Sequence, residues 1–371
     1  MMQNDVIKAF EANYDFGTVG SIKRLTGGLN NFSFLAVAEN GSGPKNYYIR
    51  VYSPKKEEQE IIYEHDLMKH LRRKGCTVNG LFFPCRQGKT YFRTTVAGNV
   101  HYMAVQEWLT GEDRYFWAES KTTKNGAVNA MKTLAQLNCL ANDYVPQEGC
   151  KCKDPIIQEH LKHYAHDFDF WTHELAKDHF KQTISRYMLG QLDYVKRMIA
   201  STEKMFENPA DLPTTHIHTD AHMGNFKFTG ADDTVTAVFD FDWAKMDVRL
   251  YDVGMAAVAM NTSWFYDKMG EVNLENVAES LRAYNQIMLD DGCVIGQLTE
   301  TEAKWFPDMM IACNIYIMRD LLRQSYENRD LSDFEYLYFM VHQVESMKWI
   351  EARRQQIVDL VANSIVKTAA V

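Results

Sequence analysis

Apolar side chains alternate with polar ones through much of the first third of the chain and recur at helical spacing through the rest. Strands are therefore expected first and helices afterwards. A short amphipathic helix over 4–13 carries Val6, Ile7, Phe10 and Ala12. Residues 21–25, 32–38 and 46–52 then read as three strands of an antiparallel meander, joined by turns at 26–31 and 39–45. Pro54 opens a helix over 57–74 with Ile61, Leu67, Met68 and Leu71 on one face. Strands resume at 81–86, 90–96 and 99–106, and the last runs on into Glu107-Trp108-Leu109-Thr110-Gly111.

Beyond that point the pattern is helical. Residues 127–144 carry an apolar stripe of Ala130, Leu134, Leu137 and Leu140. Asp154-Pro155 has the form of an N-cap followed by a helix-opening proline, predicting a helix over 156–169. Further helices are expected at 180–206, from about Tyr251 to the Asn261–Trp264 region, and at 274–290, 300–327 and 332–362. At 371 residues the chain is long for one core. The expected architecture is α+β: an N-terminal lobe, 1–106, of antiparallel sheet with one main helix, and a larger, mostly α lobe, 107–371.

One stretch, 216–252, breaks the helical run with two short apolar strands at 225–228 and 236–239. Each borders a polar cluster that is costly to hold near a core. Asp220 precedes Asn225 by five positions, and Asp240-Phe241-Asp242 follows the second strand. With His218 in front, this is the spacing H-x-D-x-x-x-x-N followed by a strand-ending Asp, the pattern of a phosphoryl-transfer centre. Transfer from ATP needs a carboxylate that orients the acceptor hydroxyl and takes its proton. It also needs an amide oxygen and a second carboxylate to hold magnesium against the phosphates. Asp220, Asn225 and Asp240 suit those roles, with Asp242 assisting the metal or facing the acceptor, and His218 braces the loop. A plain hairpin with Asp and Asn in its turns is the simpler alternative; both halves appearing in order, each on an apolar strand, favour phosphoryl transfer.

Earlier residues fit the same scheme. Gly27 and Gly28, with Asn30 and Asn31, form a turn that lets backbone approach phosphates. Arg50 stands on the third strand where such folds carry a lysine, and Glu64 on the following helix is its expected partner, with Glu60 in reserve. Asp252 reads as a cap or a brace for the catalytic loop.

Composition narrows the function. Hydrophobic residues make up 46% and charged residues 24%, the balance of an ordinary globular protein. A net charge of −9 argues against a nucleic-acid binder, which would need a basic face, and suits a cationic small substrate. The seven cysteines are scattered and form no disulfide framework. No signal peptide is visible and the apolar run at 253–260 is too short to cross a bilayer, so a cytoplasmic protein without membrane partners is expected. Cys150 and Cys152 precede a helix bearing His160, His163 and His166, but Cys-x-Cys is not the usual ligand spacing, and a polar face over the substrate cleft is the expectation.

Taken together, LTGGLNNFSF, YYIRVY, IIYEHDLMKHL, QEWLTGE, IHTDAHMGN and VFDFDWAKMDVRLYDVG make the chain resemble the aminoglycoside phosphotransferase and choline kinase superfamily, which has a protein-kinase-like two-lobed fold. Type II homoserine kinases are the most similar branch, through Tyr14-Asp15-Phe16-Gly17, the absent strand-three lysine and the Asn261–Trp264 segment. The resemblance implies Asp220 as catalytic base, Asn225 and Asp240 as magnesium ligands, and Gln106, Glu107, Trp108 and Leu109 as a hinge for adenine. It also implies an ATP- and magnesium-dependent kinase acting on the hydroxyl of a small, amine-bearing metabolite such as homoserine or an amino alcohol. An aminoglycoside phosphotransferase is one alternative; a non-catalytic pseudokinase or coat-type member of the fold, favoured by Arg50, is another. Asn138 stands where the family has a histidine.

Overall fold

The computed structural model describes residues 2–25, 31–41, 43–116, 118, 122–327 and 331–366. They divide into two compact units. The first comprises Met1–Gly111, Tyr144–Lys153 and Thr236–Asp242; the second comprises Glu112–Asp143, Asp154–Val235 and Trp243–Val371.

In the first unit, helix α1 (Met2–Asn13) precedes strands β1 (Thr18–Leu25), β2 (Phe32–Asn40) and β3 (Gly43–Val51). Helix α2 (Glu58–Arg73) and strands β4 (Phe92–Val96) and β5 (Asn99–Glu107) complete it. The strands form one antiparallel sheet in the order β1-β2-β3-β5-β4. Period-two alternation puts Phe34, Ala36 and Ala38 of β2 with Ile49 and Val51 of β3 in a core closed by Val6 and Phe10 of α1. The Tyr14–Gly17 turn packs aromatically on that core, Phe16 stacking on Tyr47 with centroids 4.5 Å apart. Gly17, at φ +92°, is obligatory because a Cβ there would lie 2.0 Å from the Glu39 carbonyl oxygen. Helix α2 begins in a capping box, Glu57 and Glu60 each receiving the other's backbone N–H. It buries Glu60 and Glu64 beside Ile61, Leu67 and Leu71.

The expected strand at 81–86 is absent. Only Phe82 bridges to Gln106, and Phe83 N–H donates to the Val105 carbonyl at 2.8 Å. Pro84 has no N–H with which to continue the ladder.

The second unit is mainly helical: α3 (Lys124–Ala141), α4 (Ile157–Lys177), α5 (Gln182–Glu203), α6 (Arg249–Asn261), α7 (Leu274–Asp290), α8 (Glu300–Tyr326), α9 (Asp333–Glu351) and α10 (Arg354–Ser364). Short strands interrupt the helices between α5 and α6. β6 (Thr214–Ile217) pairs antiparallel with β9 (Lys245–Val248), a pairing the sequence pattern did not suggest. β7 (Phe226–Thr229) lies in the second unit, and β8 (Thr234–Val238) begins there and continues into the first.

Two helix expectations are corrected. Asp154 does not cap α4; it receives Lys245 and His160, and the carboxylate that accepts the Ile157 N–H, at 2.8 Å, is Asp247 of β9. The helix expected over 332–362 is two helices, because Ala352 closes α9 onto the Lys348 and Ile350 carbonyls and Arg353, at φ −123°, leaves helical geometry. The α+β organisation itself, a small antiparallel-sheet unit and a larger helical one, is as expected.

Candidate active site

Arg50 lies in the middle of the sheet, opposite Ser33 on β2 and Ala104 on β5, and is 5% exposed. A guanidinium so placed needs carboxylates to offset its desolvation. One of its nitrogens donates to Glu64 Oε1 at 2.7 Å and another to Asp240 Oδ1 at 2.5 Å. Glu64 is fixed in turn by the Tyr52 hydroxyl, 3.0 Å from its second oxygen. The wide fork of arginine thus bridges two acids at once.

Asp240, two residues past the end of β8, has φ +66°, a left-handed conformation uncommon for a residue with a Cβ. Two residues on, the Asp242 carboxylate accepts from the Asn31 amide at 2.8 Å, and its main-chain carbonyl accepts from the buried Lys56 ammonium at 2.7 Å. The other carboxylate oxygen of Asp242 is buried without a hydrogen-bond partner. Of the proposed phosphate flap, Gly27, Gly28 and Asn30 lie outside the described residues; Asn31 is the member that is placed.

At the end of β5 the side chains are engaged within the unit. Gln106 donates to the Gly80 carbonyl at 2.9 Å, and Glu107 accepts from Arg72 at 2.8 Å and from the Leu81 N–H at 3.0 Å. Trp108 and Leu109 follow, half-buried and outside the ladder.

The second unit holds Asp220 and Asn225. The Asn225 amide donates to the Asp220 carbonyl at 2.8 Å and to its carboxylate at 3.1 Å, closing the loop on itself. Asp252, at the start of α6, anchors the loop by accepting the His218 N–H at 2.8 Å and the Thr219 N–H at 2.7 Å. Asn138 of α3 donates to Asp252 at 2.9 Å while receiving the Tyr284 hydroxyl at 3.0 Å, so the amide in place of the family histidine keeps the brace hydrogen-bonded. Thr219 adopts φ +69°, a second left-handed residue beside the polar cluster.

Burial raises the Asp220 pKa, but His222, 3.5 Å away, together with His218 and the Asn225 amide, outweighs burial and holds the carboxyl at about 2. The group is therefore ionised at neutral pH. Within the first unit the unpartnered Asp242 oxygen is a hard oxygen acceptor of the kind magnesium prefers. Among the described residues no group of three or more His, Cys, Asp or Glu could hold a metal by itself. Cys150 and Cys152 belong to the first unit and the α4 histidines to the second.

Sequence reasoning missed Lys56, Tyr52 and His222. Lys56 and His222 had local signals, an i,i+4 relation to Glu60 and a place two residues after Asp220. Tyr52 had none, because its partner is set by the packing of α2 on the sheet.

Known proteins resemble this chain in sequence and in fold. The model of the APH phosphotransferase enzyme family matches residues 21–287. A homoserine kinase from Parvibaculum lavamentivorans is 25% identical over 284 residues, which cover 76% of this chain and 77% of that protein. A microcompartment-associated aminopropanol kinase superposes over 96% of this chain and 98% of its own, with a TM-score of 0.68 and 16% identity. An amicoumacin kinase in complex with AMP-PNP, Ca2+ and Ami superposes over 97% and 94%, with a TM-score of 0.64 and 15% identity. The fold is thus kinase-like. The chain belongs to the phosphotransferase enzyme family and is a small-molecule kinase acting on a hydroxyl group.

Proposed function

We propose that the chain transfers the γ-phosphate of ATP, with magnesium, to the hydroxyl of a small amine-bearing metabolite of the homoserine or amino-alcohol kind. The observation that carries this reading is the Asp220–Asn225 loop, held by Asp252 and bearing a carboxylate ionised at neutral pH. Homoserine kinases among its relatives and an aminopropanol kinase among its structural neighbours support the choice of acceptor.

In this reading Asp220 accepts the hydrogen bond of the acceptor hydroxyl and later its proton. A carboxyl with a pKa of about 2 is a weak base, which suits a loose transition state in which the proton leaves late. Its main contribution is to orient the hydroxyl. Asn225, Asp240 and Asp242 would hold the magnesium, which when bound neutralises charge on the phosphates. Arg50 and Glu64 fix Asp240. Gly27, Gly28, Asn30 and Asn31 are the residues we assign to the phosphates, and the backbone of Gln106, Glu107, Trp108 and Leu109 is assigned to adenine.

ADP release measured with L-homoserine, 1-amino-2-propanol, ethanolamine, choline and an aminoglycoside tests the proposal. Magnesium-dependent turnover is expected with homoserine or one of the short amino alcohols. Turnover with none of the panel would contradict it.

A further inference from the structure

Among the described residues, four other than glycine have a positive φ. Ala97 and Asp233 lie in the hairpin turns that lead into β5 and β8. The other two are Asp240 and Thr219. Thr219 is the one with a branched Cβ, the residue type for which a left-handed backbone is a true outlier. Such a conformation persists only where the surrounding structure over-determines it. Thr219 is 3% exposed, so the groups that hold it belong to the protein.

Those groups follow from the strand pair in front of it. β6 and β9 are paired from Thr214 with Val248 to Ile217 with Lys245, and the same register continued by two residues sets Thr219 opposite Trp243. The ladder ends before that point, where the His218 and Thr219 N–H groups turn to the Asp252 carboxylate at 2.8 and 2.7 Å. The Thr219 hydroxyl donates instead to the Trp243 carbonyl at 2.9 Å. A side-chain donor thus carries the pairing two residues beyond the ladder.

The same hydroxyl lies 2.5 Å from the His218 carbonyl oxygen, so its one proton serves two acceptors. The turn brings the Asp220 N–H to His218 Nδ1 at 3.3 Å. All of these groups belong to the second unit. Asp220 therefore follows a residue whose N–H and hydroxyl are both tied down. Glycine would adopt this φ freely but bring no hydroxyl.

We propose that Thr219 is a positioning residue for Asp220: its hydroxyl, shared by the Trp243 and His218 carbonyls, fixes the left-handed turn from which the Asp220 carboxylate meets the acceptor hydroxyl. This rests on the kinase reading above and adds to it a residue that acts on the rate through Asp220. A carboxylate whose main contribution is orientation loses effect on small displacement.

The test compares the full-length wild-type, Thr219→Ser, Thr219→Val and Thr219→Gly proteins. It reads steady-state ADP release with the preferred acceptor and amide hydrogen exchange over 217–223. Valine keeps the shape and loses the hydroxyl; glycine also loses it but makes the turn without strain. In both, kcat should fall by about tenfold or more while KM for ATP stays within about twofold. Exchange over 217–223 should quicken in both. Thr219→Ser restores the donor and should keep most of kcat and the wild-type exchange. A kcat within about twofold of wild type in both the valine and glycine variants would overturn the proposal, as would a serine variant as slow as the valine one. Failure of the wild type with every acceptor would remove the kinase reading instead. Unchanged exchange in the valine and glycine variants would then, by itself, overturn the role of the hydroxyl in fixing the turn.

Discussion

Asp220 works in a field set by its neighbours, and His222 supplies the largest favourable part of that field. Replacing His222 by Asn removes the largest of the influences that oppose burial, so the carboxyl pKa should rise from about 2 toward the ordinary carboxylate range, with His218 and Asn225 still opposing burial. Because the role proposed for Asp220 requires the ionised form, the acid limb of kcat/KM should move to higher pH in His222→Asn. A pH–rate profile between pH 4 and 8 in both proteins reads this directly, and superimposable limbs would remove His222 from the account. At this scale the sequence was informative wherever partners are close along the chain. Asp220 and Asn225 could be read because one loop carries both. Asn138 looked like a lost family residue, yet its amide bonds Asp252 and Tyr284, a relation that only folding creates.

Between elements, two buried contacts bear on what holds the surroundings of the Asp220 loop. Arg249 at the start of α6 and Glu302 in the first turn of α8 form a bidentate pair with side chains 0% exposed, and Arg249 also donates to the carbonyls of Ile295, Gly296 and Gln297. Arg249→Met would strand a buried carboxylate and should cost about 3–5 kcal/mol in urea unfolding. Adding Glu302→Leu should return part of that loss, since no buried charge then remains. Asp247 of β9 gives a pH signature. Burial raises its carboxyl pKa to about 6, against the pull of Lys245 and of the Ile157 and Val248 N–H groups. The folded protein therefore binds this proton more tightly than the unfolded chain does. Stability from Asp247 is fully present below about pH 4 and is lost as pH rises through about 6, by up to roughly 3 kcal/mol. Asp247→Asn should lack that component, visible as a flatter difference in urea midpoint between pH 4 and 7. Helix existence was legible from period and stripe, whereas the ends were not: Asp154 had the right residue type for a cap, but Lys245 and His160 claimed it, and the α4 cap came from a distant strand.

For the molecule as a whole, the order of strands then helices followed from periodicity, and the α+β class with it. The membership of the first unit did not. It takes in Tyr144–Lys153 and Thr236–Asp242, and no local pattern announces that a later segment belongs to an earlier unit. That return brings Asp240 to Arg50 and Asp242 to Asn31. The whole chain should respond to nucleotide: a ligand bound only by the folded state adds about 2.7 kcal/mol at a hundredfold excess over Kd. ATP with magnesium should therefore raise Tm more than ATP alone, and equal shifts would argue against an ion held by Asn225, Asp240 and Asp242. No helix among the described residues is long and apolar enough to cross a membrane.

The most direct measurement is ADP release by Asp220→Asn beside the wild type, with saturating ATP, magnesium and the preferred acceptor. The substitution keeps the side-chain shape while removing the charge proposed to receive the hydroxyl proton. The account predicts an unchanged thermal midpoint within a few degrees and a kcat lower by about 10²–10⁴. A variant that turns over at the wild-type rate would contradict it.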